Sequence, residues 1–176
     1  MFTTLKARES YSTAQLAALV VLRVFIGWHF LYEGIAKMMM PDWSAASFLL
    51  ESKWIFAKLF HAMAMNPVVL DAVNLMNMWG LTAIGLGLIV GCMTRTATLA
   101  GMAILVMYYA CNPPLVGLTY SVPSEGSYII INKNLVEFAA LGVLFLFPNG
   151  HIIGFDRLLL GLKKTAGTVK KSEARS

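Results

Sequence analysis

Apolar residues occur in four long stretches, which polar or proline-rich segments separate. The stretches run from about Gln15 to Lys37, Val68 to Val90, Thr96 to Cys111 and Tyr128 to Phe147. An α-helix needs roughly 20 predominantly apolar residues to cross the hydrocarbon core of a bilayer. The pattern therefore predicts an all-α integral membrane protein, a bundle of four transmembrane helices.

The two long connections have patterns of their own. From Pro41 to Asn66, aromatic and aliphatic residues alternate with charges that include Glu51, Lys53 and Lys58. Such charges forbid a span, but aromatic rings and lysine stems suit the headgroup region. We predict one or two amphipathic helices lying in the membrane interface. The connection from Asn112 to Ser127 contains three prolines and is predicted to form a cap over one face.

Composition narrows the class of protein. Of the 176 residues, 58% are apolar and 13% charged, and the mean hydropathy is +0.69. Soluble domains carry roughly a quarter charged residues, so a disordered chain and a nucleic-acid-binding domain are both disfavoured. The length allows one domain, which we assign to residues 1–160. Residues 161–176 are predicted to form a basic, disordered cytoplasmic tail beside the lipid bilayer.

Positive charge also orients the predicted spans. Lys6, Arg8, Arg95 and the tail lie on one side of the membrane, whereas Lys53 and Lys58 lie on the other. Lysine and arginine accumulate in cytoplasmic loops. We therefore predict that both termini and the turn at residues 91–95 are cytoplasmic, and that the amphipathic segment is outside.

The two cysteines carry little chemistry in this pattern. Cys92 lies at the cytoplasmic end of the second span and Cys111 at the outer end of the third, too far apart for a disulfide within one chain. No Cys-x-x-Cys motif occurs, so neither a redox-active dithiol nor an iron–sulfur cluster is predicted. No metal site is predicted either.

Ionisable residues inside the first span are the main candidates for function. Arg23, His29, Glu33 and Lys37 fall within about 120° of one another around the helix axis. Ionisable groups in hydrocarbon are costly unless they face a partner, a protein interior or a water-filled cavity. This polar stripe is therefore predicted to face into the bundle.

Other spans place polar groups at the same depth. With a rise of 1.5 Å per residue, Glu33 lies about 6 Å below the outer helix end, His29 about 12 Å, and Asn77 and Glu137 about 13 Å. Lys133 precedes Glu137 by one helical turn, and Arg23 lies deeper. The depths predict a polar pocket in the outer half of the membrane.

Structural roles for these residues stay open. Glu33 with Lys37, and Glu137 with Lys133 or Arg23, are alternatives in which ion pairs only fix the order of the helices. His29 has the alternative of a hydrogen-bonded core histidine, and a second axial ligand for haem is not found.

Together with later motifs, the first span resembles the DoxX/DoxD family of small membrane proteins. The pattern is Arg23-x3-Gly27-x2-Phe30-x3-Gly34-x2-Lys37. The match continues through Asn77-Met78-Trp79-Gly80 and Gly85-Leu86-Gly87-Leu88 to Gly91-Cys92-Met93-Thr94-Arg95, Tyr108-Tyr109, Asn134 and Gly154-Phe155-Asp156-Arg157. Order and spacing agree best with the DoxD-like branch.

This resemblance implies a multi-pass protein of the prokaryotic cytoplasmic membrane. The DoxD branch is known as the membrane subunit of thiosulfate:quinone oxidoreductase, which joins two thiosulfates into tetrathionate and passes the electrons to quinone. On this hypothesis Glu137, His29 and Glu33 are the catalytic, proton-relaying groups. Substrate-binding roles are then assigned to Arg23, Lys37, Asn77, Trp79, Lys133 and Asn134. Arg23 and Lys37 would offer positive charge to a semiquinone or to thiosulfate, and Trp79 would pack against the ring.

Two other functions compete with this one. No flavin, haem or iron–sulfur motif is visible, so an oxidoreductase of this kind requires a partner subunit. The alternative is a noncatalytic membrane scaffold or assembly partner of another redox or stress protein. Solute transport is disfavoured, because the chain contains no detectable repeat for alternating access.

Overall fold

The computed structural model describes residues 11–115, 117–118, 120, 129–150 and 152–156. Within these ranges the regular elements are helices, and no strand occurs. The all-α prediction is confirmed for this part of the chain. In chain order the elements are α1 Thr13–Met39, α2 Ala46–Leu50, α3 Ala57–Met65, α4 Pro67–Leu75, a π-helical turn Met76–Gly80, α5 Leu81–Val90, α6 Thr94–Cys111 and α7 Lys133–Leu146.

α1 is the longest element, with 27 residues and a length of about 40 Å. It begins with a capping box, in which the Ser12 hydroxyl accepts from the Gln15 amide at 3.2 Å. The Gln15 side chain in turn accepts from the Ser12 amide at 2.9 Å. This reciprocal pair satisfies amides that the first helical turn leaves without partners.

α4, the π-helical turn and α5 form one continuous helix from Pro67 to Val90. Asn66 caps its start, where Pro67 loses nothing by lacking an amide hydrogen. The helix ends at Gly91, whose φ of 73° is the left-handed conformation that glycine adopts without strain. This helix and α1 are both long and apolar enough to cross a membrane.

The last two long helices, α6 and α7, are shorter or less apolar than α1 and the helix from Pro67 to Val90. Neither α6 nor α7 meets the same combined criterion of length and hydropathy. The prediction that a fourth helix starts near Tyr128 is wrong for residues 129–132, because Asn132 caps α7 by accepting from the Leu135 amide at 3.1 Å. α7 therefore has 14 residues and spans about 21 Å, which is less than the thickness of a bilayer core.

The long helices pack side by side through small residues. α1 lies along α5, where a Cβ atom on Gly27 would come within 3.0 Å of the Gly85 carbonyl oxygen. α6 lies along α7, with Gly101 beneath the Leu141 side chain. Small residues let helix backbones approach closely in this way. The core between the helices is formed by Ile26, Phe30, Leu81, Ile84, Leu88, Ala97, Leu105, Leu141 and Leu144.

α2 and α3 are the two amphipathic helices that the alternating segment predicted. They bury Leu49 and Phe60 in a second apolar cluster, together with Ala45 and Cys111. This cluster lies at the end of the bundle where α1 finishes, and it also includes part of α4. The segment therefore folds over that end of the bundle.

Some predictions fall outside the described residues. These are the N-terminal charges Lys6 and Arg8, the start of the fourth stretch at Tyr128, Arg157, and the tail at residues 161–176 with its boundary at residue 160.

Candidate functional site

A cavity of about 710 Å³ opens at the end of the bundle that α2 and α3 cover. Its walls come from α1, the π-helical turn, α6 and α7, and its roof comes from residues 43–49 and the chain after α6. Seven of the nine predicted site residues line it: His29, Glu33, Lys37, Asn77, Lys133, Asn134 and Glu137. Residues of three different helices, for which the sequence predicted similar depths in the membrane, thus line the same cavity.

α1 contributes three polar side chains, each one helical turn from the next: His29, Glu33 and Lys37. The Lys37 ammonium group donates to the Glu33 carboxylate at 2.5 Å, and it also lies 5.7 Å from the centre of the Trp43 ring. Residues at i and i+4 share a helix face, so all three side chains reach the same cavity wall. The predicted Glu33–Lys37 pair is therefore present.

His29 lies between two carboxylates. Its Nδ1 atom pairs with Glu137 on α7, while its Nε2 atom is 3.9 Å from Glu33. The second distance exceeds that of a hydrogen bond, so Nε2 stays available to another group. The alternative in which Glu137 pairs with Lys133 or Arg23 is not found among the described residues: Glu137 pairs with His29, because α1 and α7 approach each other here.

Asn77 lies in the π-helical turn and contacts the wall opposite. Its side-chain oxygen accepts from the Tyr108 hydroxyl on α6, and its amide nitrogen donates to the Val73 carbonyl at 2.9 Å. The Phe48 ring packs edge-on against Tyr108 at 5.6 Å between centroids. π-helical turns occur often at functional sites, where the extra residue redirects a side chain. Here Asn77 is committed to holding Tyr108.

The roof is tied to the walls by hydrogen bonds. The Asn74 side chain accepts from the Ala45 amide at 2.8 Å, and the Ser52 hydroxyl donates to the Cys111 carbonyl at 2.7 Å. The Asn112 side chain donates to the Phe48 carbonyl at 3.2 Å. One bond to α4 and two to the end of α6 fix α2 over the cavity, so the roof is part of the fold.

Lys133 is the exposed cation of the site. It begins α7, lines the cavity and acts electrostatically on Glu33, and among the described residues it forms no ion pair. Asn134 follows it on the rim. An anion that approached the cavity would therefore meet Lys133 before the paired Lys37.

Arg23 does not lie in the cavity, contrary to its predicted role. It is 3% exposed at the opposite end of the bundle, where its guanidinium donates to Asn149 at 3.0 Å and to the Ile153 carbonyl at 2.9 Å. Because residues 149–153 fold back against α1, protein acceptors take up these donors.

Asp156 completes this polar corner. Its carboxylate accepts from the Met93 amide at 2.6 Å and from both the amide and hydroxyl of Thr94, the first residue of α6. Burial alone raises the pKa of the Asp156 carboxyl, but these hydrogen bonds and the charge of Arg23 hold the pKa below its ordinary range. A carboxylate at a helix N-terminus is also favoured by the helix dipole.

Trp79 lies outside the cavity as well. Its side chain is 62% exposed on the outer surface of the bundle. It lies two positions after Asn77, which on a helix turns it to a different face. Trp79 therefore does not line the cavity, where it was predicted to pack against a bound ring.

The aromatic residues that line the cavity were not predicted as site residues, and Tyr108 and Trp43 illustrate why. Tyr108 carries a hydroxyl near the end of a span, which was a usable signal because buried tyrosine hydroxyls need partners. Trp43 gave no such signal, because its position depends on how the chain after α1 folds back. Both line the cavity.

Metal-binding and thiol chemistry have little support in the described residues. No three His, Cys, Asp or Glu side chains among them group as a metal site would require. Cys92 and Cys111 are both free, at opposite ends of the bundle.

No known protein family, curated protein or solved structure matches the chain. The argument about function therefore depends on the geometry of the cavity and on the sequence.

Proposed function

We propose that this chain is the membrane subunit of a quinone-linked oxidoreductase, and that a quinone headgroup binds in the cavity. The observation that carries the proposal is the arrangement of His29, with Nδ1 paired to Glu137 and Nε2 left open toward the cavity. A carboxylate on one ring nitrogen fixes the orientation of an imidazole and decides which nitrogen faces a ligand. The other nitrogen is then placed to exchange a proton with a ligand.

The cavity suits a quinone in size and in polarity. Small-molecule sites commonly enclose 300–1,000 Å³ with mostly apolar walls and a few polar groups. Phe30, Leu81 and Leu105 supply apolar surface, while His29 and Lys133 are donors that can reach a ligand. A protonated His29 donates to a carbonyl oxygen of the quinone, and a neutral His29 accepts from the hydroxyl of the quinol.

The reaction proposed is oxidation of thiosulfate, as the DoxD resemblance suggests. Two thiosulfate ions form one sulfur–sulfur bond to give tetrathionate and release two electrons. The quinone takes up these electrons with two protons and becomes a quinol. His29 delivers protons and is recharged through Glu33 and Lys37 from the cavity mouth. Lys133 attracts the anionic substrate, and a partner subunit carries the electrons.

The membrane arrangement proposed is a four-span bundle in the prokaryotic cytoplasmic membrane, with the cavity in the outer half. α6 and α7 are the third and fourth spans. Positive charge places the turn at residues 91–95 in the cytoplasm. In support of the family proposal, two segments that carry the resemblance meet in the structure, where the Asp156 amide donates to the Gly91 carbonyl at 2.9 Å.

Quinone binding can be measured by tryptophan quenching in lipid nanodiscs. A variant that keeps only Trp43, with phenylalanine at positions 28, 54 and 79, reports from the cavity wall. A variant that keeps only Trp79 reports from the outer surface, where quinone dissolved in lipid arrives without a site. We expect saturable quenching of Trp43 and proportional, unsaturable quenching of Trp79.

Glu137→Gln in the Trp43-only protein should remove the saturable part, because the His29 ring loses the carboxylate that orients it toward the cavity. Asp71→Asn is the matched control, since Asp71 is an exposed carboxylate outside the cavity. Identical, unsaturable quenching of both reporters would overturn the proposal. The noncatalytic scaffold would then be favoured, and a stoichiometric protein partner should be recovered in mild detergent.

A further inference from the structure

Two methionines mark a side opening of the cavity. Met76 in the π-helical turn is 57% exposed and Met107 on α6 is 43% exposed, yet both line the cavity. Other apolar lining residues, such as Leu81 and Leu105, are buried. The two methionines therefore border the cavity and the outer surface of the bundle at once.

The packing of the neighbouring helices explains why an opening lies here. α5 packs closely on α6, whereas α4 and the π-helical turn make few contacts with α6. The Tyr108 hydroxyl reaches across this gap to Asn77. Met76 and Met107 each immediately precede a member of that hydrogen-bonded pair. The helices thus diverge beside the pair, and flexible side chains fill the edge of the gap.

We infer that the gap between Met76 and Met107 is a lateral window through which the aliphatic tail of the cavity's ligand extends into the lipid. This inference deepens the proposed function, on which it rests, by requiring a ligand with a polar head and a long apolar tail. The other exposed lining residues, Ser47 and Lys133, are polar. The cavity consequently has a polar mouth for ions and protons and an apolar window for the tail. Methionine suits such a window, because its unbranched thioether adapts to chains of different shape.

The test compares a quinone that has eight isoprenoid units with the same quinone that has none, in nanodiscs that hold the Trp43-only protein. Met76→Phe with Met107→Phe narrows the window, and Met76→Ala with Met107→Ala widens it. In the narrowed variant, we expect the tailed quinone to quench Trp43 about tenfold more slowly than in the parent protein. The rate of quenching by the tailless quinone should stay within about twofold of the rate in the parent protein. The widened variant should bind the tailed quinone at least as fast as the parent. Met65→Phe is the matched control, because Met65 is exposed but does not line the cavity.

A membrane phospholipid has an aliphatic tail too, so a second arm distinguishes the two sources. Nanodiscs that contain phospholipid with brominated acyl chains, and no quinone, should quench Trp43 through the window only if a lipid tail occupies it. Window-dependent quenching by either tailed molecule supports the inference and names its source. Equal rates in the parent, narrowed and widened proteins for every tailed probe would overturn it. If the tailless quinone does not bind the parent protein at all, that result would instead count against the proposed function.

Discussion

Each end of the helix bundle holds a polar side chain of α1, Arg23 at one end and His29 at the other, but the surroundings of the two side chains differ. At one end, Arg23 is 3% exposed and hydrogen-bonded to Asn149 and to the Ile153 carbonyl. At the other end, His29 lines a cavity of about 710 Å³, and one of its ring nitrogens has no hydrogen bond within the described chain.

This difference separates structural polar groups from groups that are able to do chemistry. A buried guanidinium that donates to protein acceptors, away from the cavity, stabilises one arrangement of the chain. A titratable group that is oriented on one side and open on the other is placed for proton exchange. By this criterion Arg23 and Asp156 hold the fold, and His29 and Glu137 form the site.

The largest expected effect is on stability at the polar corner. Arg23→Met removes the donor from the buried Asn149 side chain and from the Ile153 carbonyl, so the free energy of unfolding should fall by about 3 kcal/mol. Reversible unfolding in mixed detergent micelles measures this change. Arg95→Met is the control, because Arg95 is exposed at the start of α6. A loss no larger than that of the control would mean that the corner does not hold the bundle together.

The next effect is on ligand affinity in the cavity. His29→Gln keeps a polar side chain but removes the titrating ring, so quinone should bind about 10–100-fold more weakly, as expected for losing a hydrogen bond to a charged group. Quenching of Trp43 measures the dissociation constant. His61→Gln is the matched control, because His61 lies outside the cavity and its Nε2 atom contacts the Ser52 carbonyl. Equal affinity for both variants would remove His29 from the site.

A smaller effect concerns pH and returns to the corner. Because the folded-state pKa of Asp156 lies below its unfolded value, its stabilisation is complete above about pH 4 and is lost as the pH falls through the folded pKa. Asp156→Ala should cost about 1 kcal/mol at neutral pH, a modest figure because the carboxylate is only half-buried. The free energy of unfolding, measured from pH 7 to pH 3, should fall less steeply with pH in the variant than in the parent protein. A variant with the same pH profile as the parent protein would exclude Asp156 as its source.

The smallest effect is expected at Trp79. Trp79→Phe should leave the quinone dissociation constant unchanged within about twofold, because the ring lies on the outer surface. Because the Trp43-only protein already carries phenylalanine at this position, equilibrium binding of radiolabelled quinone to nanodiscs that hold the parent protein or the variant provides the measurement. A large loss of affinity would restore Trp79 to the ring-binding role that the sequence suggested.

The sequence predicted much of the cavity because depth along a helix follows from residue number. His29, Asn77 and Glu137 were placed at one level by the helical rise alone, and they line one cavity. Arg23 failed because the acceptors that satisfy it come from residues 149–153, and no periodicity shows where a terminal loop folds back. Trp79 failed for a simpler reason, since neighbouring positions on a helix face different directions.

The roof was harder to predict than the walls. The alternating segment correctly indicated two amphipathic helices, but Trp43 and Phe48 reach the cavity only because that segment folds over the bundle end. α7 also starts later than the apolar stretch predicted, since Asn132 caps the helix within that stretch. Contacts between distant segments decide such features, and local patterns do not report them.

The central claim is that one end of the bundle stabilises the fold while the other binds a ligand. The most direct test measures both the melting temperature and the quinone dissociation constant for Arg23→Met and Glu137→Gln in the same nanodisc preparation. The account predicts a lower melting temperature with unchanged affinity for Arg23→Met, and lost affinity with a nearly unchanged melting temperature for Glu137→Gln. Two variants that both lose stability and both keep their quinone affinity would contradict it.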